Sequence, residues 1–138
     1  MRKFMLVCGA VMTLATSPAV AGPNETVAER GRAELATALK GLVPGKPVRC
    51  LPFASVQSTQ VIPGVGLLYD VGGGRRYLNR PQGGLASLRR DAIPVTSVTG
   101  GSICRIESVQ LLDRVTRMPA GFVILGDFVP YSRPDRMR

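Results

Sequence analysis

The stretch Gly66-Leu67-Leu68-Tyr69-Asp70-Val71-Gly72-Gly73-Gly74-Arg75-Arg76-Tyr77-Leu78-Asn79 decides the fold class. Two runs rich in Leu, Tyr and Val flank three glycines, the pattern of a β-hairpin with a glycine turn. A three-residue loop at Gly72-Gly73-Gly74 pairs positions whose numbers sum to 146. Tyr69 then faces Tyr77, Asp70 faces Arg76, and Leu68 faces Leu78. One alignment yields an aromatic pair and an opposite-charge pair, each kind worth about 0.2–1 kcal/mol across antiparallel strands. A phosphate-loop reading of the same glycines needs a helix after them and finds a strand instead.

The texture continues on both sides of this hairpin. Short runs of Val, Ile, Leu and Tyr alternate with Gly, Pro and Asn breaks over residues 46–131. Candidate strands fall at 48–52, 56–62, 66–71, 75–79, 94–98, 102–106, 108–116 and 122–129. This spacing predicts a mainly β domain, a small antiparallel barrel or sandwich rather than βαβ units. A second hairpin is expected between 108–116 and 122–129, turning at Met118-Pro119-Ala120-Gly121. Its second arm opens with Phe122-Val123-Ile124-Leu125, a nearly continuous apolar run that predicts a strand covered on both faces.

Upstream, residues 22–45 read as a tether and one helix. Thr26-Val27-Ala28-Glu29 fits a capping box. Ala28, Gly31, Leu35, Ala38, Leu39 and Leu42 recur at helical spacing, and Gly41 and Pro44-Gly45 supply the stop. Gly31 weakens this helix by propensity, so it needs the β-domain to pack on; the alternative is a mobile linker. Residues 132–138 form a basic tail, expected to be disordered.

Residues 1–21 read as an export signal. Arg2-Lys3 precedes an apolar run, Ser17-Pro18 breaks it, and Ala19-Val20-Ala21 suits cleavage before Gly22. The run is about a dozen residues, short of the roughly 20 a spanning helix needs. The expected location is periplasmic or secreted, with no transmembrane anchor. Cys8 would leave with the signal. Cys50 and Cys104, 54 residues apart, then pair most simply as a disulfide in an oxidising compartment. Closing such a loop is worth about 4 kcal/mol in the chain-entropy model. A redox-active thiol would need a C-x-x-C pair or a histidine neighbour, and neither occurs.

Charge bounds the partners. The net charge of +9 becomes +7 without Arg2 and Lys3, and nearly all remaining cations are arginine. Arginine suits flat, bidentate contact with phosphate or carboxylate. Arg75, Arg80, Arg89 and Arg90 would form an anion-binding patch if the 81–93 loop folds back over the hairpin. Asp70 would partly neutralise Arg76, and Asp91 would do so for Arg90. Arginines spread along a chain more simply make a solvated surface.

The 138 residues include no histidine. That excludes Ser-His-Asp and Cys-His catalysis and the H-E-x-x-H zinc motif. No catalytic residue, metal or cofactor is expected. The carboxylates of the β region, Asp70, Asp91, Glu107, Asp113, Asp127 and Asp135, are few, and nothing in the sequence brings two into one cleft as a glycosidase requires.

Taken in order, Arg49-Cys50, Tyr77-Leu78-Asn79-Arg80-Pro81, Leu88-Arg89-Arg90-Asp91-Ala92-Ile93, Ser102-Ile103-Cys104, Val109-Gln110-Leu111-Leu112-Asp113 and the run from Gly121-Phe122 to Pro130-Tyr131 resemble one group. It is a family of small uncharacterised exported alphaproteobacterial proteins of the sphingomonad type. The resemblance spans residues 48–131 and carries no catalytic motif. It implies a Gram-negative periplasm and adds weight to the Cys50–Cys104 pairing.

The expected function is a non-enzymatic periplasmic binding or envelope-associated module. One alternative is a polyanion binder, taking lipid phosphate or acidic glycan on the arginine patch. A second is a small inhibitor of a secreted or periplasmic enzyme, presenting the 71–75 tip. The third is an enzyme that works without histidine. Expected partners are an anionic envelope component or a periplasmic protein. The oligomeric state stays open, since an edge strand could pair with a second copy.

Overall fold

A computed structural model describes residues 26–136, so the signal reading of 1–21 lies outside the described residues. One helix, α1 (Val27–Ala38), precedes ten strands. They are β1 (Val43–Pro44), β2 (Cys50–Pro52), β3 (Ser58–Ile62), β4 (Gly66–Asp70), β5 (Arg76–Asn79), β6 (Ala92–Thr96), β7 (Ser102–Cys104), β8 (Ser108–Asp113), β9 (Pro119–Ile124) and β10 (Phe128–Ser132). Three short 3₁₀ turns lie at Phe53–Ser55, Leu85–Ser87 and Pro134–Arg136.

The strands make three antiparallel sheets in a layered, sandwich-like arrangement: β1-β10-β5-β4-β3, β2-β7 and β6-β8-β9. The β4–β5 hairpin has the expected register, with Leu68 opposite Leu78, Tyr69 opposite Tyr77 and Asp70 opposite Arg76. Side chains alternate across a strand, and β4 uses both faces. Leu67 and Tyr69 join Leu51, Ile103, Leu111 and Phe128 in the core between the large sheet and the two smaller ones. Leu68 joins Leu35, Ile62, Val65 and Leu78 in a second cluster, under α1.

The helix begins as its sequence predicts. The Thr26 N–H donates to Glu29 Oε2 at 2.7 Å, and the Glu29 N–H donates to Thr26 Oγ1 at 3.2 Å. Gly31 and Leu35 are its buried residues. Gly31 is no defect here: a Cβ at that position would sit 2.0 Å from the Pro63 carbonyl oxygen. The missing side chain lets the helix backbone lie against the β3–β4 turn, so residues 27–38 form a packed element rather than a linker.

The second hairpin forms with three differences from its sequence reading. β8 pairs with β9 through Ser108–Ile124, Val109–Val123 and Gln110–Phe122. The turn falls at 114–118, because the Asp113 carboxylate accepts the Val115 and Thr116 N–H groups at 2.9 and 2.8 Å. The run 122–129 is two strands in different sheets, with a corner at Gly126. A Cβ on Gly126 would meet the Arg80 carbonyl oxygen at 2.3 Å. The fully buried Asn79 secures this corner: its Nδ2 donates to Gly126 O at 2.8 Å, and Gly126 N–H donates to its Oδ1 at 3.0 Å. Finally, the apolar arm is covered on one face only. Val123 and Leu125 are fully buried, whereas Phe122 is 57% and Ile124 36% exposed.

Cys50 and Cys104 form the disulfide, directly opposite each other across β2 and β7. Residues 132–136, the described part of the basic tail, continue from the last strand. β10 runs to Ser132, and the turn Pro134–Arg136 follows it.

Candidate functional site

The four candidate arginines occupy different parts of the fold. The turns at 63–65 and 72–74 cap opposite ends of β4, whose five residues span about 17 Å. Arg75 lies at the 72–74 end, and Arg80 follows β5 at the other. Arg89 and Arg90 follow the Leu85–Ser87 turn, which docks on the β3–β4 turn through Gly64 N–H to Leu88 O at 3.2 Å. The start of this loop is drawn to β9, where Gln82 N–H donates to Ile124 O at 2.8 Å. The loop therefore packs at the β9 and helix end of the molecule, away from the 72–74 tip. It brings Arg89 and Arg90 together and leaves Arg75 apart from them.

Arg89 borders a groove of about 690 Å³ lined also by Thr26, Val27, Ala28, Gly64, Leu85, Ala86 and Leu88. A smaller hollow of about 270 Å³ shares Val27 and Arg89 and adds Arg30, Pro63 and Arg90. Val27, at 60% exposed, continues the Gly31–Leu35 stripe one helical turn past the sheet. Leu85, 40% exposed, comes from the turn opposite. Ala28 and Gly64 let the two walls approach: a Cβ on Gly64 would lie 3.1 Å from the Ala28 Cα. The groove is thus apolar in its walls and cationic at its rim.

Of the cations at the rim, Arg89 makes no ion pair among the described residues. Arg90 pairs with Glu34 rather than Asp91, Nη2 to Oε2 at 3.0 Å, with the Arg90 side chain 73% exposed. Such an exposed pair is worth little. Glu34 also accepts from Gln60 Nε2 at 2.8 Å. Arg90 and Glu34 border a further cleft of about 500 Å³ with Thr59, Val61, Ile93 and Arg114.

Elsewhere the carboxylates serve the backbone. Glu29 caps α1, and the Thr26 N–H holds its pKa below the usual range. Glu107 accepts the Cys104 N–H at 2.9 Å. Asp70 accepts the Gly72 N–H at 2.8 Å besides pairing with Arg76 at 3.2 Å, as expected. Asp113 is held below the ordinary carboxylate range, chiefly by the Thr116 N–H, then the Val115 N–H and the Thr116 hydroxyl, with Asp91 beside it. Asp127 lies 3.6 Å from Arg105. Asp135 makes no ion pair, and neither do Arg75, Arg80, Arg89, Arg114, Arg133 and Arg136, among the described residues.

The structure does set two carboxylates, Asp91 and Asp113, side by side. Asp113 is committed to its turn, and among the described residues no three His, Cys, Asp or Glu side chains converge on a metal site. Sequence reasoning missed the apolar half of the groove. Its signal was Val27, in phase with the buried stripe, and Leu85-Ala86 just ahead of Arg89-Arg90.

No protein-family model, no characterised protein and no solved structure matches the chain. No helix among the described residues is long and apolar enough to cross a membrane.

Proposed function

We propose that this chain is a non-enzymatic, envelope-associated binding module of the periplasmic or secreted space. Its ligand surface is the groove at the head of α1, and its ligand is an amphiphile carrying an anionic group. The observation that carries this reading is the meeting of exposed Val27 and Leu85 with Arg89 on one groove, with Arg90 on the hollow that adjoins it. An apolar chain laid against Val27, Leu85 and Leu88 would leave water at about 25 cal/mol per Å² of apolar surface buried. Its phosphate or carboxylate would then meet Arg89, which pairs with no carboxylate among the described residues. The disulfide suits the oxidising compartment this role requires.

Sedimentation with vesicles tests the proposal. Residues 22–138 should bind phosphatidylglycerol vesicles better than phosphatidylcholine vesicles, and added salt should weaken the preference by screening. Arg89→Ser with Arg90→Ser should abolish the preference, and Leu85→Ser should weaken binding to both. Equal binding to both lipids by the wild type would sink the anionic part of the reading. Loss with the arginine pair but none with Leu85→Ser would favour a purely charged ligand, the acidic-glycan alternative.

A further inference from the structure

We infer that the tip of the β4–β5 hairpin and the C-terminal turn together form a second binding site, for a phosphate group. It lies at the opposite end of β4 from the groove and does not depend on it. The β10–β5 register ends with Tyr131 opposite Arg76, so one further pair of steps carries Arg133 to Gly74. The Arg133 guanidinium does lie there, its Nε 3.6 Å from where a Gly74 Cβ would be. Arg136 Nη1 lies 3.3 Å from where a Gly73 Cβ would be. The Pro134–Arg136 turn, closed by Arg136 N–H to Arg133 O at 3.0 Å, explains the pairing. In 3₁₀ geometry residues i and i+3 fall on the same side.

Two guanidinium groups are therefore gathered over one turn, with the exposed Arg75 adjoining. Like charges do not collect without cause. No carboxylate pairs with Arg133 or Arg136 among the described residues. Asp135, in the turn itself, makes no ion pair with either arginine among the described residues, and Asp70 on the hairpin is already held by the Gly72 N–H and Arg76. The tip also keeps backbone donors in reserve. Its hydrogen bonds run from Val71 N–H to Arg75 O, from Arg75 N–H to Gly72 O and from Gly72 N–H to Asp70. None uses the N–H of Gly73 or Gly74, whose φ values are +62° and +72°.

Left-handed glycine turns leave amides able to bind anions. Two guanidinium forks match the oxygens of a phosphate, and two positive charges match its dianion. The absent side chains at 73 and 74 let the two guanidinium groups lie against the turn.

Titration of residues 22–138 with inorganic phosphate, followed by amide NMR against a chloride control of equal ionic strength, tests the site. The Gly73 and Gly74 amides should shift on saturation. Arg133→Ser with Arg136→Ser should weaken binding at least tenfold, while Arg32→Ser on the exposed side of α1 leaves it unchanged. Should the serine pair misfold, Arg133→Lys with Arg136→Lys keeps the charge but not the fork and should lose at least threefold. A parallel arm uses vesicles containing phosphatidic acid. A response to vesicles alone, lost in the tail variant, assigns the phosphate to a lipid headgroup; a response to inorganic phosphate assigns it to a free phosphate. Unmoved glycine amides with both probes, or tail variants that bind like the wild type, would overturn the site.

Discussion

Asn79 and Tyr69 are buried polar side chains on neighbouring strands, and they differ in one respect that fixes the sign of their mutation. Asn79 exchanges two hydrogen bonds with the Gly126 backbone, replacing the strand partner that a corner cannot have. Asn79→Ala would strand a buried N–H and a buried C=O, each costing about 1–3 kcal/mol. Tyr69 is 1% exposed, and its hydroxyl has no partner among the described residues. Burial pushes its ionisation far above the ordinary phenol range. Tyr69→Phe keeps the ring contact with Phe128 at 5.6 Å and removes only the unsatisfied group. Urea unfolding should show Asn79→Ala roughly 2–4 kcal/mol less stable and Tyr69→Phe equal to or more stable than wild type. Neither role was legible from sequence. Both residues sit on strands that were read correctly, but what a side chain meets depends on a chain segment 47 residues away for Asn79 and on the packing of a second sheet for Tyr69.

At the scale of elements, the β4–β5 hairpin was legible because three local constraints agree on one register: a glycine turn, a tyrosine pair and an Asp–Arg pair. The 122–129 run was not legible as two strands because apolar character continues on both sides of Gly126 while the chain changes sheets. Hydrophobicity records burial, and burial is the same in either sheet. The apolar residues of the groove escaped for the complementary reason: Val27 and Leu85 have core chemistry but lie where the sheet ends. The helix shows how propensity misleads when packing decides. By propensity alone, Gly31→Ala should stabilise α1 by about 1 kcal/mol. In the fold, the new Cβ would fall 2.0 Å from Pro63 O and 2.9 Å from Val65 Cγ2. The backbone oxygen cannot move without shifting the β3–β4 turn, so overpacking costs typically 1–3 kcal/mol. Gly31→Ala is therefore expected to lower the urea midpoint, whereas Ala at a solvent-facing position such as Arg32 should leave it nearly unchanged. A rise with Gly31→Ala would mean that the helix does not rest on that turn.

Over the whole molecule, the two hydrophobic clusters are tied together by β4, which gives Leu67 and Tyr69 to one and Leu68 to the other. Losing either face of β4 exposes the other, so the clusters should melt together. The disulfide acts on this unit from outside. It joins β2 to β7, a two-stranded sheet whose Leu51 and Ile103 are each 1% exposed in the larger core. The 54-residue span between the cysteines encloses β3, β4, β5 and β6, so the cross-link restrains strands of both clusters in the unfolded chain. The pairing was legible from the two cysteines left once residues 1–21 are read as an export signal; that it pins the smallest sheet was not. Cys50→Ser with Cys104→Ser should then cost about 4 kcal/mol, a large share of the roughly 5–15 kcal/mol that holds a typical domain. Because β4 is shared, the loss should appear as one transition moved to lower denaturant, with helix circular dichroism and tyrosine fluorescence changing together. Separate transitions, the helix signal surviving the loss of the tyrosine signal or the reverse, would show that α1 and its cluster fold apart from the β-layers and that β4 does not couple them.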